Sequence, residues 1–198
     1  SLDPITTSDA MPAITSKVIQ SVTRSLENMS AFISGDYDRV LSRIQEADGL
    51  YFIASGDPTI TAQFACTKFR RLGLAAYVCS DVFYQYETAM RLTERDVVIA
   101  ISNSGRSTNV VNAVKIAKDQ GAFTCCITQG GRSPLTKYCD VSLYSSSIDT
   151  TLGRDSVTKR VIEMVILEAL YLGVINSNPN EYKQMMQNTM LSSEMNKS

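Results

Sequence analysis

Beyond Asp48-Gly49 the chain repeats one rhythm: a short apolar run, a tight polar loop, then a helix-like stretch. The candidate strands are 50–54, 75–79, 97–101, 123–128 and 141–144, and the candidate helices 59–72, 83–92, 107–120 and a short 133–138. Val97-Val98-Ile99-Ala100-Ile101 has no polar face, the pattern of a strand covered on both sides in a parallel sheet. Gly73 and Gly121 stand where helices end, because glycine accepts the left-handed C′ conformation. Ser133-Pro134 reads as an N-cap followed by a first-turn proline. The alternation predicts an α/β chain with a five-stranded parallel, doubly wound sheet and right-handed crossovers.

Helical segments flank this unit. Ile14, Val18, Val22, Leu26, Met29 and Ile33 recur at three- and four-residue spacing, one apolar stripe of a long helix over 14–33. Asp9 is its candidate N-cap and Pro12 fits its first turn. Gly35-Asp36 ends it, and Val40, Leu41 and Ile44 mark a short helix. A last long helix over 154–175 is apolar on a wide arc, from Val161 and Ile162 to Leu172, and is expected to pack deeply, also against another subunit. The tail 180–195 predicts a partly exposed helix whose methionines serve adaptable packing. Residues 1–13 read as a leader, with Ser1-Leu2 suiting a cloning remnant, and 14–198 as one domain with N-terminal and C-terminal helical extensions.

The chain has 198 residues, is 44% hydrophobic and carries a formal net charge of −1, which suits one domain with a full core. No apolar run approaches the roughly 20 residues that span a bilayer, and no secretory signal stands at the start, so a cytoplasmic protein is expected. The charge balance lacks the basic footprint of a nucleic-acid binder. Cys66, Cys79, Cys125, Cys126 and Cys139 show no CxxC spacing and read as reduced thiols. There is no histidine, which excludes histidine nucleophilic triads, metal ligands and general bases. No metal or cofactor is called for.

The apolar run ending at Ile101 stops at Ser102-Asn103-Ser104-Gly105-Arg106-Ser107-Thr108, and a helical pattern starts at once. First-turn N–H groups lack intrahelical partners and carry partial positive charge. Gly105 permits positive φ, and the hydroxyls can donate further bonds. Such a loop can hold a phosphate, and it can equally be a plain capped turn. It has neither a Walker lysine nor GxGxxG, so a small phosphorylated ligand fits better than a nucleotide.

The loop Ser55-Gly56-Asp57-Pro58-Thr59 lies beside it if the first and third strands are neighbours. Ser55 and Thr59 can donate to a ligand there, and Asp57 can accept from sugar hydroxyls or, like Thr59, cap the helix. Arg106 reads as an exposed rim residue. The loop Thr128-Gln129-Gly130-Gly131-Arg132-Ser133 is a further source of contacts or simply a turn. Asp81, Gln85, Glu87, Glu163 and Glu168 show no paired acid–base spacing and read as structural.

ISNSGRST, VVNAVKIAKDQGA and CITQGGRSPLTKYCDVSLY together resemble the sugar isomerase (SIS) domain. The resemblance implies a flavodoxin-like five-stranded sheet and a phosphorylated sugar ligand. It implies that Ser102, Asn103, Ser104, Gly105 and Ser107 grip the phosphate, with Ser55, Gly56 and Asp57 contributing from the first loop. KFRRLG at 68–73, the Asp81, Gln85 and Ala89 pattern, and KRVIEMVILEALYL at 159–172 with Arg160 resemble one branch, the RpiR-type transcription regulators. The long helix before the sheet resembles that branch's linker. One departure stands out: the serine usual in the first loop is Pro58 here.

The reading that follows is a sugar-phosphate-sensing effector domain of such a regulator, not an enzyme and without catalytic residues. It would form a homodimer or homotetramer and contact DNA only through a helix-turn-helix domain outside this chain. A stand-alone hexuloisomerase-like enzyme is the alternative, with Asp57, Asp81 or Glu163 as base. An interaction scaffold with a decayed pocket, suggested by Pro58, is a third.

Overall fold

A computed structural model of the chain describes residues 4–146 and 157–195, side chains 192–194 apart. Helix α1 (Met11–Met29) leads through a 3₁₀ turn at Ser30–Phe32 into α2 (Asp36–Glu46). The sheet then alternates with helices: β1 (Gly49–Ala54), α3 (Pro58–Arg71), β2 (Ala76–Cys79), α4 (Val82–Ala89), β3 (Asp96–Ile101), α5 (Thr108–Asp119) and β4 (Phe123–Gln129). A 3₁₀ turn at Thr136–Tyr138, β5 (Val141–Ser145), α6 (Val157–Ser177) and α7 (Pro179–Glu194) complete the order. No single helix among the described residues is long and apolar enough to cross a membrane.

The five strands are parallel, in the order β2-β1-β3-β4-β5. Their side chains alternate between two cores. Leu50, Phe52, Val97, Ile99 and Ile101 meet Phe69 of α3 and Ile162 and Ile166 of α6 on one face. Ile53, Val98, Ala100 and Cys126 meet Ala89 of α4 and Val110, Ala113 and Val114 of α5 on the other. Each large apolar side chain buried this way contributes about 1.5–3 kcal/mol. The five-stranded parallel, doubly wound α/β sheet expected from the alternating pattern is the sheet observed.

Four details differ from the sequence expectation. The N-terminal helix ends at Met29, and Ile33 lies beyond it, 69% exposed. The side chains buried on α1 are Ser21, Ser25 and Met29, while the apolar stripe through Val18, Val22 and Leu26 is only half-buried. Small residues let α1 approach α6 closely, with Ser21 Oγ 3.5 Å from Thr158 Oγ1. Ala10, not Asp9, is the N-cap; the Asp9 carboxylate accepts from Lys17 Nζ at 2.7 Å and from the Thr6 N–H. The helix expected over 133–138 is a Ser133–Thr136 turn with reciprocal bonds, Ser133 N–H to Thr136 Oγ1 and Thr136 N–H to Ser133 Oγ, and only the last three residues are 3₁₀. The leader residues 1–3 and the expected helix start at 154–156 lie outside the described residues.

Candidate functional site

The strand order reverses direction between β1 and β3, the place where open α/β sheets form a crevice beyond the strand carboxyl ends. Ala54 is in register with Ile101, so the loops after these strands leave the sheet at the same level. Between them opens a cavity of about 600 Å³, lined by Ser55, Asp57, Pro58, Ser102, Asn103, Ser104, Ser107, Gln129, Lys159 and Arg160.

The loop after β3 is held from below. Ser102 N–H donates to the Ile127 carbonyl, and the Asn103 carbonyl accepts from Gln129 N–H at 3.0 Å and Thr128 Oγ1 at 3.3 Å. Gly105 turns the chain at φ +60° and its carbonyl accepts from Leu135 N–H. Only glycine fits, because a Cβ would stand 2.2 Å from Ser133 Oγ. Ser104 is exposed and its Oγ accepts from Arg106 N–H at 3.3 Å, which leaves its own proton free to point elsewhere.

Ser107 is the N-cap of α5 but makes no side-chain cap bond. Its Oγ donates instead to Asn109 Oδ1 at 3.1 Å. Asn109 Nδ2 donates to Gln85 Oε1 at 3.0 Å, and the fully buried Gln85 amide donates to the carbonyls of Ala54 and Cys79, both at 2.8 Å. Gln85 thus ties the ends of β1 and β2 to the start of α5. Asp81 caps α4, accepting from Phe83 N–H and Tyr84 N–H, which accounts for it structurally.

The opposite wall comes from α3 and α6. Asp57 occupies the N-cap position of α3 without a capping bond, so its carboxylate is not used there. Lys159 and Arg160 sit in the first turn of α6. Arg160 Nη2 donates to Glu163 Oε1 at 2.8 Å, and Thr61 Oγ1 donates to Glu163 Oε2 at 2.8 Å. Burial pushes the Glu163 carboxyl above its ordinary range, against the pull of Arg160, Thr61 and Lys159. Glu163 lies behind the cavity wall rather than in it.

Of the residues singled out in the sequence, Ser55, Asp57, Ser102, Asn103, Ser104 and Ser107 border one cavity. Gly56 and Gly105 shape the two loops with positive φ and do not line it. Arg106 is exposed and does not line the cavity. Lys159 carried no signal of its own, and Gln129 and Arg160 appeared only as members of larger motifs. Their place at the cavity follows from topology, with roughly 20 to 60 residues separating them from the β3 loop.

The sequence profile of the SIS domain matches residues 43–173. An uncharacterized HTH-type transcriptional regulator of Caldanaerobacter subterraneus is 25% identical over 93% of this chain and 66% of its own length. The HTH-type transcriptional regulator RpiR of Escherichia coli is 32% identical over 62% of this chain and 41% of its own length. The chain therefore spans less than two thirds of the length of these relatives. The solved structure of Vibrio vulnificus NanR complexed with ManNAc-6P superposes with a TM-score of 0.85 at 23% identity, covering 94% of this chain and 69% of that one.

Proposed function

The chain belongs to the SIS domain family, and from that premise we propose that it is the sugar-phosphate-sensing effector part of an RpiR-type transcription regulator of carbohydrate metabolism. The observation that carries the reading is the cavity itself, with Ser102, Asn103, Ser104 and Ser107 of the β3 loop on one wall and Lys159 and Arg160 on the other. A phosphoryl group suits the loop after β3, where Ser102, Asn103, Ser104, Gly105 and Ser107 surround a helix start. A sugar suits the remaining space, with Ser55 and Asp57 at its edge on the turn that Gly56 shapes and Asp57 accepting from its hydroxyls. The HTH-type regulators among its relatives support the regulatory role.

DNA recognition, on this proposal, falls to a helix-turn-helix domain outside the chain, in keeping with its net charge of −1. Self-association as a homodimer or homotetramer belongs to the same proposal. Ile33 and Val165 border an apolar groove between α1, α2 and α6, and both are exposed. We place the protein in the cytoplasm. Signalling requires the ligand to bind two arrangements of the assembly with different affinity.

The isomerase alternative needs a carboxylate base at the sugar. Asp81 caps α4 and Glu163 is held by Arg160 and Thr61, which leaves Asp57. Calorimetric titration with N-acetylmannosamine 6-phosphate and unsubstituted hexose 6-phosphates, followed by a turnover assay on each binder, tests the reading. Binding without turnover, weakened about tenfold or more by Ser104→Ala, is expected. Absence of any binder, undiminished binding by the variant, or ketose–aldose conversion overturns it.

A further inference from the structure

The hydrogen-bond polarity of the Gln85–Asn109–Ser107 chain is fixed from the sheet outward. Both protons of the Gln85 amide go to carbonyl oxygens, Ala54 and Cys79, which can only accept. Gln85 therefore presents Oε1 to Asn109. Asn109 must meet that oxygen with Nδ2, which turns its own Oδ1 toward Ser107. Ser107 must then be the donor in the last link. Three side chains on α4 and α5 are thus ordered by two backbone carbonyls at the ends of β1 and β2.

This order separates two serines that look alike in sequence. Ser104 Oγ accepts a hydrogen bond from Arg106 N–H and keeps its own O–H for the cavity. Ser107 Oγ directs its O–H at Asn109 Oδ1 and offers the cavity lone pairs. One serine is a donor and the other an acceptor.

Resting on the reading of this cavity as a phosphate site, we propose that Ser107 accepts a hydrogen bond from the ligand, so that the site takes a phosphoryl group carrying one proton, with Gln85 and Asn109 as the positioning residues that set this preference. The charged side chains lining the cavity are Asp57, Lys159 and Arg160; Arg106, on the same loop as Ser104, is exposed and outside the lining. The two cations of α6 favour an anion, and the Asp57 carboxylate on the facing loop is a second acceptor, which the response of the ligand preference to Asn109→Leu separates from Ser107. A fully deprotonated tetrahedral anion meets lone pair against lone pair there, unless the Ser107 hydroxyl turns and gives up its bond to Asn109 Oδ1.

Inorganic sulfate and hydrogen phosphate, titrated at a pH where both are dianions, differ by one O–H at nearly equal size. The ratio of their affinities within each protein is the readout, so general loosening of the loop cancels. In the unaltered chain hydrogen phosphate is expected to bind about tenfold tighter, the worth of one hydrogen bond. Asn109→Leu releases the Ser107 proton and is expected to raise sulfate affinity until the ratio is about one. Ser107→Ala is expected to reach the same ratio by weakening hydrogen phosphate alone, and Ser104→Ala to weaken both ions equally. A ratio of one or less in the unaltered chain, or a ratio unmoved by Asn109→Leu, overturns the proposal and leaves the phosphate site standing. Failure of the unaltered chain to bind either ion overturns the phosphate site itself, and this proposal with it.

Discussion

Arg160 and Glu163 lie one turn apart on α6 and are joined by a 2.8 Å bond from Nη2 to Oε1 just behind the cavity wall. The pair fixes the guanidinium beside the ligand space, yet burial still holds the Glu163 carboxyl above its ordinary 4.5. That shift has a definite sign in stability. Between 4.5 and the raised folded value the native state binds more protons than the unfolded chain, so stability falls as pH rises through that window.

Glu163→Gln keeps one acceptor oxygen for Arg160, presents its NH2 to Thr61, whose hydroxyl can turn to accept, and removes the titration. Urea midpoints measured from about pH 3 to 8 are expected to show the unaltered chain losing ground relative to the variant as pH rises through this window. Asp140 acts with the opposite sign. Its burial is outweighed by Lys118 Nζ and by Thr124, which hold its carboxyl below 3.8, so its contribution is present above 3.8 and lost as pH falls through the folded value. That acid limb is expected to be the same in the unaltered chain and in Glu163→Gln.

Gly105→Ala tests the turn of the loop after β3. At φ +60° an alanine costs about 1–2 kcal/mol. The added Cβ would also collide with Ser133, whose Oγ and Cβ stand 2.2 and 2.7 Å from its ideal position. A total loss of about 2–4 kcal/mol is expected in urea denaturation. Ser133→Gly removes the collision but also the acceptor of Thr136 N–H, so Gly105→Ala is made in that background too, where it is expected to cost only the backbone strain.

The strands were legible because a strand buried on both faces leaves a continuous apolar run. Val97 to Ile101 form five of the six residues of β3. The β3 loop was legible because Ser, Gly and a helix start stand together in sequence. What stayed hidden depends on contacts between distant segments. Ser21 and Ser25 are the buried positions of α1, with Ser21 against Thr158 of α6, because close helix approach needs small side chains, and hydrophobic periodicity points to their apolar neighbours instead. Lys159 resembles any surface lysine until the sheet's topology carries α6 to the carboxyl ends of β1 and β3. Gln85 reads as a polar helix residue, and only the ends of two strands converging on it reveal why it is buried.

Gln85→Leu isolates that last point. Leucine fills a similar volume but withdraws the donor from the Ala54 and Cys79 carbonyls and the acceptor from Asn109. Leaving buried polar groups without this partner costs about 1–3 kcal/mol. A lowered urea midpoint with unchanged slope is expected, since the fold and its exposed surface on unfolding stay the same. No loss of stability would mean that the carbonyls find other donors.

Pro58 is the place where the first loop departs from the pattern the SIS resemblance implies, and it lines the cavity at the start of α3. Proline there pre-sets the helix backbone but brings no hydroxyl. Pro58→Ser reverses both terms. Releasing the unfolded chain from proline's constraint costs about 0.4–1 kcal/mol of stability. A hydroxyl donating to a charged phosphoryl oxygen gains about 1.5–3 kcal/mol of binding, on the order of tenfold or more in affinity. The variant is therefore expected to melt slightly earlier when empty and to bind hexose 6-phosphates more tightly in calorimetric titration. Tighter binding would locate the phosphoryl group within reach of both loops. Unchanged affinity would confine it to the loop after β3, where Ser104 and the backbone N–H groups must then hold it without help from α3.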